Sequence, residues 1–164
     1  MMLELHNVTL GQQLRSFSLT VGDGQLVTIT GLKGSGKTLL LRAILGFIPV
    51  DGGHISIDGE LLTPKSAPYF RRQFAYVPQH LSLPDGYRGM GLEQWADLSV
   101  DERYLLLLRK AIATGKPLLL VDEPPQLLGE DTYVQIDRLL QEAAAKGIAV
   151  LAVNHRITQN QVRL

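Results

Sequence analysis

The chain has no cysteine in its 164 residues. Disulfides, thiolate metal ligands and cysteine nucleophiles are excluded together, and the absence fits a reducing compartment, so the cytoplasm is the expected location. Nor is there an excess of either charge: 16 Lys and Arg stand against 16 Asp and Glu. Without a basic surplus to neutralise a phosphate backbone, nucleic acid is not an expected partner. Long apolar runs are missing as well. The longest, 104–108, 118–121 and 148–153, fall far short of the roughly 20 residues that a membrane-spanning helix needs. The start, MMLELHN, has no basic segment leading into an apolar one, so any membrane role calls for a partner chain. With no internal repeat, low-complexity tract or linker-like shift in composition, residues 1–164 read as a single domain.

What is present is an alternation of short apolar runs and amphipathic stretches. LELHNVTL and FSLTV read as two β segments, and the β-branched run GQLVTIT ends directly at Gly31. Residues 37–45 are apolar at helical spacing and stop at Gly46, with Pro49 beyond. HISIDGELL predicts a hairpin turning at Asp58-Gly59, and FAYVP a short strand closed by Pro78. A polar segment broken by Pro84, Gly86, Gly89 and Gly91 follows, with room for one short helix over 92–96. Ser99, with Glu102 three residues on, predicts a capped helix through RYLLLLRKAIA. PLLLVDE reads as a buried parallel strand, 132–146 as a helix closed by Gly147, and IAVLAVNH as the next buried strand. Helices alternating with apolar strands imply a parallel sheet with crossovers.

The stretch GLKGSGKT has the spacing of a phosphate loop, G-x-x-x-x-G-K-[ST]. Its backbone, Gly31, Leu32, Lys33, Gly34, Ser35 and Gly36, can curl so that several N–H groups face one anion. The helix opening at Lys37, Thr38 and Leu39 adds its positive end. Lys37 can reach outer phosphates and Thr38 can offer a hydroxyl to Mg²⁺. In LLLVDE, Asp122 at the end of a buried strand can hold that metal through water, and Glu123 is placed to polarise an attacking water. His6, His54 and His80 show no spacing that suggests a transition-metal site.

Taken in order, GLKGSGKT, YVPQH, LLLVDEP and VNH resemble the nucleotide-binding domain of ATP-binding cassette (ABC) ATPases, from about Leu3 to His155. The resemblance implies an α/β fold of the P-loop NTPase class: a mainly parallel sheet flanked by helices, a small N-terminal antiparallel β part and a helical insert. It implies that Gln79 senses Mg²⁺ and water and that His155 lies near the γ-phosphate. It further implies ATP and Mg²⁺ as ligands, ATP hydrolysis, transmembrane transporter subunits as partners, and a homodimer or heterodimer with another nucleotide-binding domain. The chain would then sit peripherally on the inner face of the cell membrane.

The chain also departs from the family's pattern. Where a glycine-rich signature, typically LSGGQ, completes the partner's site, the matching residues are Leu98, Ser99, Val100, Asp101 and Glu102. Two carboxylates at that helix start are expected to repel a γ-phosphate, whereas a capped helix explains the same residues within one chain. Gly129 stands where the family has an Asp. No aromatic in VTLGQQLRS is available to stack on a base, so GTP remains open beside ATP. Only eighteen residues separate Gln79 from Leu98, so the insert, about 80–98 and holding Tyr87 and Trp95, is strongly reduced. The chain ends nine residues after His155, leaving no room for the family's C-terminal helices. A self-paired dimer is expected to turn over slowly. The competing expectation is a nucleotide-binding regulatory or structural subunit with negligible hydrolysis. A small-molecule kinase stands behind it, with no evident use for Gln79 or His155.

Overall fold

The computed structural model describes residues 1–83, 91–156 and 161–164; Pro84, Gly86, Tyr87 and Gly89 lie outside the described residues. The first two predicted segments form β1 (Leu3–Leu10) and β2 (Leu14–Val21), an antiparallel pair. The predicted hairpin is β4 (Gly52–Ile57) and β5 (Glu60–Leu61), with its turn where expected. Asp58 at φ 52° and Gly59 at φ 79° are both left-handed, as a two-residue turn of this hand demands. These strands make a four-stranded sheet in the order β2-β1-β4-β5.

The second sheet is parallel. Its strands are β3 (Leu26–Thr30), β6 (Phe74–Val77), β7 (Leu118–Val121), β8 (Ala149–Asn154) and β9 (Gln161–Arg163), in the order β6-β7-β8-β3-β9. All four residues of β7 are buried, and they divide by parity between two cores. Leu118 and Leu120 pack with Leu40, Leu41 and Ile44 of α1 (Lys37–Ile44) and with the antiparallel sheet. Leu119 and Val121 pack with Leu108 of α4 (Val100–Ala113) and Ile136 of α5 (Glu130–Ala145). A sheet covered on both faces is why the strand sequence is apolar throughout instead of alternating.

Helix boundaries follow local chemistry. At the start of α4, Ser99 Oγ accepts from the Glu102 N–H at 3.1 Å and the Glu102 carboxylate accepts from the Ser99 N–H at 2.8 Å, the predicted capping box. The spacing predicts the last helix from 132, but α5 begins at Glu130 with Gly129 as its cap. The Thr132 hydroxyl lies in the first turn and bonds Asp101 instead of capping the helix. The short helix near 92 is α3 (Leu92–Asp97). Two elements have no sequence forewarning: α2 (Ala67–Arg71), one turn nucleated by the Thr63/Ser66 hydrogen bonds with Pro68 in its first turn, and edge strand β9. Among the described residues no helix is long and apolar enough to cross a membrane.

Candidate functional site

Every residue predicted to carry chemistry sits at one edge of the parallel sheet. β3 runs into the loop at Gly31, β6 into Pro78 and Gln79, β7 into Asp122 and Glu123, and β8 into His155. Because β6, β7, β8 and β3 are neighbours, their carboxyl ends form one rim, the place where open parallel sheets hold ligands.

The loop itself is shaped by backbone that only glycine adopts readily. Gly36, the cap of α1, has φ 90°, and a Cβ at Gly31 would come 2.5 Å from Ser35 Oγ. Inside the curl lies Lys37, 4% exposed. Its ammonium donates to the carbonyls of Gly31 at 2.7 Å and Leu32 at 2.8 Å, with Ser35 Oγ at 3.5 Å. These bonds satisfy a buried cation and brace the loop from within. Leu32 itself points outward, 84% exposed, so that position contributes backbone only.

Next to the loop, the Thr38 hydroxyl meets Asp122 Oδ1 at 3.3 Å, and the same oxygen accepts the Glu123 N–H at 2.9 Å. Asp122 is fully buried, and its Oδ2 has no hydrogen-bond partner. Burial pushes its carboxyl up to about 6, opposed by the Glu123 amide, Thr38 and Lys37. A buried carboxylate oxygen left bare costs free energy and is a fit for a hard divalent cation. Among the described residues no three His, Asp or Glu converge to hold an ion alone, so a cation here would need oxygens from a ligand as well. Beside Asp122, Tyr76 is pushed up to about 12, chiefly by burial.

Glu123 is mostly buried, its side chain 16% exposed, and its Oε2 accepts from His155 Nδ1 at 3.0 Å. The two residues that sequence could only place on separate strand ends are thus in contact. Gln79 and Glu123 line an open cleft of about 300 Å³ together with Lys33, Gly34, Gly36, Lys37, Thr38 and Leu39. One further wall is unforeseen: Gln13, from the turn between β1 and β2, whose Cβ lies 3.2 Å from where a Gly36 side chain would begin.

Residues 14–90 match the family model described as ABC transporter. The thiamine import ATP-binding protein ThiQ of Vibrio parahaemolyticus is 31% identical over 194 aligned positions, taking in 96% of this chain and 82% of that protein. The chain belongs to the ABC transporter family. A second relative, the zinc import ATP-binding protein ZnuC of Cereibacter sphaeroides, is 31% identical over 160 positions, 87% of this chain and 66% of that protein. Of an ATP-dependent lipid A-core flippase from Syntrophus aciditrophicus, 25% identical, the chain spans 33%. In fold it is similar to an ATP-binding subunit of an ABC transporter, with a TM-score of 0.79 at 22% identity over 100% of this chain and 86% of that one. A dimeric ATP-binding cassette bound to ADP and Pi gives 0.78 at 23% identity over 99% and 94%.

In this ABC family member residues 98–102 are engaged within their own chain. Ser99 and Glu102 cap α4, as the plainer reading of these residues expects. Asp101 does something the sequence did not announce: its Oδ2 accepts from Gly129 N–H at 2.9 Å and from Thr132 Oγ1 at 2.6 Å. Those two bonds, Thr132 first, hold its carboxyl below the usual carboxylate range. Trp95 packs in the core beside α4, and the Arg103 guanidinium lies 5.5 Å over its ring.

Proposed function

We propose that the chain is the ATP-binding subunit of an ABC-type transporter, binding Mg-ATP and hydrolysing it to ADP and phosphate to drive transport by partner membrane chains. The observation that carries this reading is the bare, buried Asp122 Oδ2 beside Thr38, at the rim of a phosphate loop and one residue from Glu123. In this account the loop amides and Lys37 hold phosphates, and Thr38, Asp122 and Gln79 hold Mg²⁺. Glu123 takes a proton from the attacking water, and His155 and Gln79 orient that water and the γ-phosphate. Bound Mg²⁺ would offset phosphate charge. The relatives named above import thiamine and zinc or flip lipid A-core, which supports a role beside a membrane without selecting a cargo. That role puts the chain on the inner face of the membrane through its partners. The stretch 8–16, which brings Gln13 to the rim, offers no aromatic ring to stack on a base, so GTP stands beside ATP as a ligand to test.

The test of hydrolysis is phosphate release from Mg-ATP by the purified chain. Because Val100 and Asp101 carry side chains where a glycine-rich signature would let backbone approach a partner's nucleotide, release is expected to be slow when the chain pairs with itself. It should rise when a cassette with a glycine-rich signature is supplied. Fast release by the chain alone contradicts the slow homodimer. Release at background in both settings favours the second reading, a nucleotide-binding regulatory or structural subunit, which the in-chain use of Asp101 supports.

The pH dependence has a definite sign. Asp122 must be ionised to hold a cation, and its carboxyl takes up a proton near pH 6. Mg²⁺-dependent nucleotide affinity should therefore be full at pH 7.5 and fall about tenfold by pH 5. Titrations of the wild-type chain and Asp122→Asn, with and without Mg²⁺, isolate this part from protonation of the nucleotide. The same slope in both proteins would contradict the assignment.

A further inference from the structure

Residues 122–129, DEPPQLLG, carry Glu123 in an irregular segment between β7 and α5. Two prolines in succession, Pro124 and Pro125, deny it backbone donors at its centre, and Pro125, Gln126 and Leu127 are exposed. The segment's start is tied to the sheet by the Asp122 N–H on the Val77 carbonyl and by Thr38, and α4 adds a hold at each end. At the start, the fully buried Tyr104 donates its hydroxyl proton to the main-chain carbonyl of Asp122. At the end, the Asp101 carboxylate accepts from the Gly129 N–H and, one turn into α5, from the Thr132 hydroxyl. Asp101 and Tyr104 are three residues apart, one turn of the same helix, and so share a face.

We propose that α4 is a clamp that positions Glu123, with Tyr104 and Asp101 as positioning residues that hold the two ends of the 122–129 segment. The inference rests on the hydrolytic reading above for its consequence, and on geometry alone for the clamp. A helix that hydrogen-bonds both the start of a segment, through Tyr104, and the helix it feeds, through Asp101, leaves the enclosed carboxylate few ways to drift. A displacement of about 1 Å from productive geometry costs up to about 100-fold in rate. Side-chain identity matters at each end. Glycine at position 101 could not accept from Gly129, and phenylalanine at 104 would leave the buried Asp122 carbonyl without its partner.

Two readouts test it, one independent of turnover. Hydrogen exchange of peptides covering 123–129 should quicken by about tenfold in Asp101→Ala, the loss of roughly one hydrogen bond's worth of protection, and Tyr104→Phe should quicken the start of the segment. Asp101→Asn keeps an acceptor oxygen and should restore most of the protection. Single-turnover hydrolysis should fall by about tenfold in Asp101→Ala with nucleotide affinity unchanged, and recover in Asp101→Asn. Unchanged exchange in both variants overturns the clamp. Quickened exchange with an unchanged rate overturns the positioning role, as does a rate lost only in step with affinity and global melting. If the wild-type chain releases no phosphate, the hydrolytic reading and with it the positioning of a working base fall. Exchange then still decides whether α4 holds the segment.

Discussion

Replacing Glu123 by Gln should lower phosphate release from Mg-ATP by a factor of about 10² to 10⁴, the usual contribution of a positioned general base. Nucleotide affinity should stay within about twofold. The carboxylate lines the cleft beside Lys37 and Gln79 and bonds His155, so it is placed toward the ligand's outer end and held by a partner that orients it. Glutamine has the same shape and can still meet His155, but its amide cannot accept a proton. The substitution therefore separates chemistry from binding, and phosphate release measured beside equilibrium titration reads both. A rate unchanged by the substitution, in a protein that does hydrolyse, would remove Glu123 from the reaction.

Lys37→Ala should have the larger effect on binding, a loss on the order of 10- to 100-fold, since a charge-assisted bond to phosphate is worth roughly 1.5 to 3 kcal/mol. Its ammonium is already buried, on the Gly31 and Leu32 carbonyls. The variant thus leaves two acceptors without their donor, and it should melt lower even with no nucleotide present. The informative quantity is the rise in melting temperature on adding nucleotide, measured against each protein's own baseline. At a hundred times the dissociation constant the wild-type chain gains about 2.7 kcal/mol, which for a domain of this size is roughly 5–10 °C. After a 100-fold loss of affinity the same concentration stabilises by only about 0.4 kcal/mol, roughly 1 °C. An undiminished rise would mean that Lys37 is a brace of the loop and not a ligand for phosphate.

How far the sequence announces all this depends on the range of the interaction involved. The strand, loop and helix at Leu26 to Ile44, the turn at Asp58-Gly59 and the cap at Ser99 are local, each decided within a few residues by backbone freedom or a side chain bonding its own neighbourhood. The apolar run 118–121 marks a doubly covered strand because no position on it meets water. Short elements escape: α2 and β9 are one turn and three residues long, too brief for any periodicity to emerge. Long-range pairings escape as well. That Gln13 walls the cleft, that His155 reaches Glu123, and that Asp101 bonds Gly129 and Thr132 each depend on elements from distant parts of the chain meeting in space. For Asp101 the only hint was a negative one, a carboxylate standing where the resembling family has glycine. Its partner across the gap, Gly129, was visible only as a missing aspartate.

The claim under everything above is that the turn opening at Gly31 grips the phosphates of a nucleotide with a cation shared by Thr38 and Asp122. Titration calorimetry of the purified chain with ATP and then GTP, in the presence of Mg²⁺, addresses it directly. The account predicts saturable heat with one nucleotide per chain, weakened when Mg²⁺ is withheld. No heat of association with either nucleotide, from a folded protein, would contradict it.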